Sequence, residues 1–270
     1  MPKPLNTIAG NVAKLIGSEE TELRYDHFSV LMNEARHLAY VSAGNMWFQA
    51  PFHADRKDPW GYDPRLAAEL QAGNEVYKNN PLDRGHLFRR ADSAWGRNPA
   101  EADRANDDTC HWPNIAPQHE VFNQSGQDPE LSLWGLLENH IAEEADRLGK
   151  KINVFCGPVF LEDDPPYRGI RIPRSFWKVI SLVDDDGKLR AYGFVVGQEE
   201  LLQTLPREAL RPGRFAVFQV KLRELENRTA LDFGALREVD ALESQGATER
   251  FVRGGAAVRI GRLSDIVHGR

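Results

Sequence analysis

One long amphipathic helix set among short β-like runs constrains the fold of this chain more than any other feature. Residues 128–149, DPELSLWGLLENHIAEEADRLG, place Leu133, Trp134, Leu137, Ile141, Ala145 and Leu148 at helical spacing. Asp128 suits the N-cap, Pro129 the first helical position and Glu130 the positive end of the helix, and Gly149 stops it. The apolar runs on either side are β-like. Residues 23–41 read as strands with a turn around 33–36, and KINVFCGPVF (151–160) reads as a buried strand. FWKVISLVDDDGKLRAYGFVV (176–196) reads as a hairpin turning at Asp186-Gly187, and FAVFQVKL (215–222) as a further strand. The acidic run 184–186 has the wrong spacing for a calcium loop, so a hairpin turn is the better reading. This order, without repeats or linkers, predicts an α+β fold with a central antiparallel sheet and flanking helices. One domain over 21–270 is expected, preceded by an arm or helix at 1–20 whose apolar side is Ala13, Leu15 and Ile16.

Residues 50–82 are rich in Pro, Asp and Gly and predict a long ordered loop with a helical turn at 64–71. Loops that long inside a domain are usually functional. The net charge of −6 argues against a protein that grips nucleic acid by bulk electrostatics, but not against a local basic cleft. Arg84, Arg89, Arg90 and Arg97 do cluster, although a solvated loop face would look the same. With two cysteines, Cys110 and Cys156, a disulfide framework is excluded and two reduced thiols are expected. No run approaches the ~20 apolar residues of a membrane span. Asn6, Asn11 and Lys14 break up any signal-peptide core. A cytoplasmic location without membrane association is therefore expected, unless another route exports the chain or it was cut from a longer protein.

The chemistry concentrates between residues 83 and 138. Asp83-Arg84-Gly85-His86 lies within NNPLDRGHLFRRADS. Asn114-Ile115-Ala116-Pro117-Gln118, Phe122-Asn123-Gln124 and Trp134-Gly135-Leu136-Leu137-Glu138 follow in order. A histidine can deprotonate water near neutral pH because its ordinary pKa is ~6.5, and an arginine fork suits phosphate oxygens. Gly85 beside the histidine offers room for a phosphate to approach. Taken together, these segments resemble the DNA/RNA non-specific endonucleases of the ββα-metal (His-Me finger) class, which include Serratia nuclease and endonuclease G. Residues 23–28, 157–160, 172–178 and 229–233 also look like family segments, so the likeness covers roughly residues 23 to 235.

The resemblance implies a ββα-metal nuclease fold and a sugar-non-specific endonuclease that hydrolyses DNA and RNA, leaving 5′-phosphate ends. It implies His86 as general base and Asn123 as the one direct protein ligand of Mg²⁺ or Mn²⁺, though Asn123 could equally cap a turn. Glu138 would hold metal-bound water from the helix, and Asn114 would brace the site by hydrogen bonds. Arg84, Arg89 and Arg56 would contact phosphate, with Arg65 competing for the role of Arg56. One departure from the family pattern is the insertion SGQDPELSL between Asn123 and Trp134, which either loops outward or faces regulator or substrate.

Other residues keep two readings. Trp95 and Trp112 could stack on bases or pack in the core. His111 and His119 flank Asn114, but adjacent Cys110-His111 is poor zinc geometry, so structural or substrate-contacting roles are preferred. The rival functions are a nucleic-acid-binding module without catalysis and a phosphodiesterase acting on small nucleotides. The resemblance leaves a homodimer open. An unregulated nuclease would be lethal, so an inhibitor or activating partner is expected.

Overall fold

The computed structural model describes residues 1–123, 139, 143, 149–198, 217–243, 257–260 and 265–268. Its principal strands are β1 (Glu22–Arg24), β2 (Phe28–Asn33), β3 (Leu38–Met46), β4 (Leu82–His86), β5 (Ile115–His119), β6 (Ile152–Val159), β7 (Ser175–Val183), β8 (Leu189–Gly197), β9 (Val217–Val220) and β10 (Ala257–Ile260). Eight of them form one sheet in the order β10-β9-β8-β7-β6-β3-β2-β1. Every pairing in that sheet is antiparallel. β4 and β5 stand apart as their own antiparallel pair.

The central strands are apolar at consecutive positions because both faces of the sheet are covered. In β7, Phe176 and Ile180 point to one face while Trp177 and Val179 point to the other, and all four are buried. Burying a side chain of this size stabilises the fold by about 1.5–3 kcal/mol. On the first face Phe176, Ile180, Val154, Phe194 and Val217 pack against Leu66, Phe88, Ala116 and Phe122, the layer that carries the site. On the second face Leu222, Leu225, Leu231 and Phe233 cover Trp177, Val179 and Val195.

Several expectations are met locally. β7 and β8 form the predicted hairpin. Gly187 takes the left-handed φ of 77° that the turn demands, and Asp184 Oδ1 accepts from the backbone N–H groups of Asp186 (3.0 Å) and Lys188 (2.8 Å). The turn at 33–36 joins β2 to β3, with a register shift between Leu31 and Met32. Neither cysteine is in a disulfide and both are buried, and burial pushes the Cys110 thiol up to about 11. Among the described residues no helix is long and apolar enough to cross a membrane.

Other expectations need correction. The N-terminal arm is anchored to the fold: Lys3–Pro4 pairs with Leu231–Asp232, and Val12 and Ala13 are buried. Its helix is confined to Asn6–Ala9, so Leu15 and Ile16 lie outside it. The last predicted strand ends early, at Val220, because Leu222–Thr229 is a helix. That helix shows only two buried side chains, Leu222 and Leu225, in an otherwise polar sequence. The helical turn expected at 64–71 is a 3-10 turn at Ala68–Leu70, and a second follows at Asn74–Tyr77. Of the expected helix at 128–149, only 139, 143 and 149 are among the described residues, with 139 and 143 helical.

The long loop is ordered by polar contacts. Tyr25 Oη donates to Asp63 Oδ2 at 2.6 Å, Arg65 Nη2 donates to the same oxygen at 2.6 Å, and Gln71 Oε1 accepts from the Asp63 N–H at 2.9 Å. Burial alone would push the Asp63 carboxyl up. The hydrogen bonds from Arg65 and Tyr25 outweigh it and hold the group below the usual carboxylate range.

Candidate active site

The DRGH segment is β4, and the Asn-Ile-Ala-Pro-Gln segment runs into β5. The two are joined in register, with His86 opposite Ile115, Gly85 opposite Ala116 and Asp83 opposite Gln118. The short helix Glu120–Asn123 follows directly. Two strands and the end of a short helix thus bring His86, Gln118 and Asn123 around one cleft of about 210 Å³, lined also by Arg56, Arg89, Arg90 and Ala91.

His86 is half-buried, and its imidazole packs against Trp60 with ring centroids 5.2 Å apart. Asn123 is exposed, at the end of the short helix that follows β5. Its Nδ2 donates to Asp83 Oδ2 at 2.9 Å, which fixes the carboxamide and leaves Oδ1 as an oxygen donor. Among the described residues no three His, Cys, Asp or Glu side chains gather in metal-binding proximity. A hard cation held by one amide oxygen and mostly water fits that donor set.

Asn114 lies behind the cleft and is fully buried. Its Oδ1 accepts from Ser42 Oγ (2.8 Å) and the Phe88 N–H (3.0 Å), while Nδ2 donates to the carbonyls of Phe88 (2.9 Å) and Thr109 (3.1 Å). The carboxamide therefore ties the segment after His86 to β3 of the main sheet.

The arginines separate. Arg56 and Arg89 line the cleft; Arg84 does not. Arg84 Nη2 donates to Asn74 Oδ1 at 2.6 Å and its guanidinium lies 5.3 Å from the Trp60 ring centre, so it braces the loop beneath the histidine. Arg65 is committed to Asp63 and to the Tyr25 ring, 4.7 Å away, which removes it as a competitor of Arg56. Arg97 pairs with Glu101 and is not among the cleft-lining residues.

Gly85 also has a packing reason. A Cβ there would come within 2.3 Å of Gln118 Cδ and Oε1. The glycine makes room for the buried Gln118 side chain across the strand pair. Gln118 and Arg90 line the cleft without having been assigned a role from sequence, although both sit inside the quoted segments.

Trp112 is core, stacked between Trp60 and Tyr77 at 5.9 Å from each. Trp95 stacks on His27 at 3.4 Å and donates to the Asn45 carbonyl. His111 packs on Tyr25, and His119 is buried, with desolvation lowering its pKa. Glu138, Trp134 and the insertion after Asn123 lie outside the described residues.

The comparisons with known proteins agree with this architecture. The profile of the DNA/RNA non-specific endonuclease family matches residues 6–239. An uncharacterized protein of Sinorhizobium fredii is 39% identical over 240 residues, 83% of this chain and 35% of that protein. A nuclease of Nostoc sp. is 25% identical over 67% of this chain and 61% of its own length. Human mitochondrial endonuclease G is 26% identical over 63% of this chain and 54% of its own length. The chain thus spans between 35% and 61% of the length of these relatives. Among solved structures, endonuclease G in complex with its inhibitor superposes with a TM-score of 0.57 at 18% identity, covering 80% of this chain and 86% of that one. The shared fold is the ββα-metal nuclease fold, with the central antiparallel sheet described above.

Proposed function

Because the chain belongs to the DNA/RNA non-specific endonuclease family, we propose that it hydrolyses phosphodiester bonds of DNA and RNA with little sequence preference, with His86 as the general base. The observation that carries this reading is the convergence of His86, Asn123, Gln118 and three arginines on one cleft, from segments more than 60 residues apart in the chain.

Each side chain has a chemical task in that reading. His86 accepts the proton of a water as its oxygen attacks phosphorus, and the bond to the 3′ oxygen breaks, leaving a 5′-phosphate. Trp60 holds the imidazole plane from one side. Mg²⁺ or Mn²⁺, bound through Asn123 Oδ1 and water, would supply neutralisation of charge at the phosphate and the departing oxygen. A neutral amide ligand leaves that charge undiminished. Asp83, by accepting from Asn123 Nδ2, keeps the amide oxygen from flipping away. Arg56 offers a forked donor to the strand entering the cleft, and Arg89, held by Asp92, lines its path. Among the described residues that line the cleft none belongs to a strand or helix laid out to read bases, which supports contacts to the backbone and low specificity.

The fold neighbour was solved bound to a protein that inhibits it. An inhibitor or activating partner is part of the reading here too, because a cleft that reads only the backbone does not discriminate host nucleic acid.

The test is incubation of the purified chain with plasmid and with RNA, in Mg²⁺ and in EDTA, beside the His86→Ala variant. Cleavage of both nucleic acids that needs the metal and the histidine is expected. Binding without any cleavage by the wild-type chain, or wild-type rates from His86→Ala, would overturn the reading.

A further inference from the structure

The three cleft arginines are not equally available to an anion. Arg89 is already matched: its Nε and Nη2 bind the two oxygens of buried Asp92 at 3.0 and 2.8 Å. Arg56 lies against Asp58, with Nε 3.2 Å from both carboxylate oxygens, and its side chain is 69% exposed. Its field is therefore both compensated and screened. Arg90 differs. It is half-buried and, among the described residues, pairs with no carboxylate. Its partner is the neutral carboxamide of Asn106, whose Oδ1 accepts from Arg90 Nη1 at 3.3 Å.

Asn106 is fully buried on the helix Pro99–Asp108. Its Nδ2 donates to the Lys57 carbonyl at 3.2 Å and to Asp107 Oδ1 at 2.9 Å. One carboxamide thus joins Arg90 on one wall of the cleft to the backbone next to Arg56 on the other. A neutral acceptor can orient a guanidinium without cancelling its charge. The remaining N–H donors of the fork, which can number five in an arginine, stay available in a half-buried setting where a charged hydrogen bond counts for more than at the open surface.

Resting on the nuclease reading above, we propose that Arg90 is the principal phosphate-binding side chain of the cleft, and that Asn106 is the positioning residue that presents it. The ligand is a backbone phosphate of the bound strand. Arg89, locked to Asp92, instead shapes the wall.

The experiment measures binding of a short fluorescent DNA duplex by anisotropy in EDTA, over a range of salt, with steady-state cleavage in Mg²⁺ alongside. Arg90→Gln should weaken binding roughly ten-fold, the scale of one charged hydrogen bond. It should also reduce the slope of log K against log[salt] by about 0.9, one phosphate contact. Arg90→Lys should restore the slope while recovering only part of the affinity, because the charge returns without the fork. Asn106→Ala should raise KM more than it lowers kcat and shift the slope in the same direction. A merely structural role for Asn106 would lower the melting temperature and the active fraction and leave KM and slope unchanged. Wild-type slope and affinity in Arg90→Gln, with the wild-type chain cutting normally, would overturn this proposal alone. A wild-type chain that neither binds nor cuts nucleic acid would overturn the nuclease reading and this proposal with it.

Discussion

Replacing Asn114 by alanine is the sharpest test of how the cleft is held to the sheet. The side chain is fully buried and makes four hydrogen bonds, to Ser42 Oγ, the Phe88 N–H, the Phe88 carbonyl and the Thr109 carbonyl. Truncation removes all four. The Ser42 hydroxyl can rotate toward another acceptor, but the three backbone groups cannot move without disturbing the strands that carry them. A buried polar group left without a partner costs about 1–3 kcal/mol, and water entering the vacated space recovers part of that. The net loss should be about 3–5 kcal/mol, a large fraction of the 5–15 kcal/mol typical of a folded domain. Urea titration followed by tryptophan fluorescence reads it as a lower midpoint at constant m-value. The Asn114→Ala, Ser42→Ala cycle should be non-additive, because the two side chains share a bond. A loss below about 1 kcal/mol in Asn114→Ala would refute the reasoning, since it would mean that neither Phe88 nor Thr109 depends on the carboxamide.

Three further outcomes follow from the same geometry. Gly85→Ala should destabilise the fold by about 1–3 kcal/mol through overpacking. It should also reduce activity by driving Gln118 off the cleft wall; a thermal melt and cleavage rate equal to wild type would show that Gln118 has room to spare. Asn123→Ala should move the Mg²⁺ dependence of cleavage to much higher concentration with little change in melting temperature, and an unchanged titration would place the ligand elsewhere. Asp63, held below its ordinary range, contributes stability that is fully present above its unfolded pKa of about 4 and is lost as pH falls through the lower folded value. The gap in melting temperature between wild type and Asp63→Asn should therefore narrow below about pH 4; a gap independent of pH would contradict the assigned hydrogen bonds.

The sheet was legible where local chemistry decides. The Asp186-Gly187 turn and the dense apolar runs of β6, β7 and β8 announce themselves because both faces of the sheet are buried and the turn needs a positive φ. The pairing of β4 with β5 was not legible. Leu82–His86 has no apolar alternation, and its partner contains Pro117, which cannot donate in a strand ladder. The helix Leu222–Thr229 was hidden for a similar reason, with two buried leucines among charges. His86, Asn123, Arg56 and Arg89 could be named as candidates because their segments match the family pattern, and the four do come together at one cleft. The fate of Arg84 could not. Whether an arginine faces the cleft or folds back over an indole depends on Trp60 and Asn74, brought in by a loop whose path has no periodicity to read. Arg90 was passed over because a run of two arginines gives no hint of which one already has a carboxylate beside it.

Part of the floor under the cleft comes from far down the chain. Phe176, Phe194 and Val217 complete the apolar surface on which Phe88, Ala116 and Phe122 rest, a surface that Phe28, Val30 and Met46 begin from the other side of the DRGH segment. The strand pair is therefore synthesised after one half of its support and well before the other. A product terminated ahead of Phe176 would carry the whole DRGH segment on an incomplete floor, so the cleft is held firmly only once strands from both sides of it in the chain have been made.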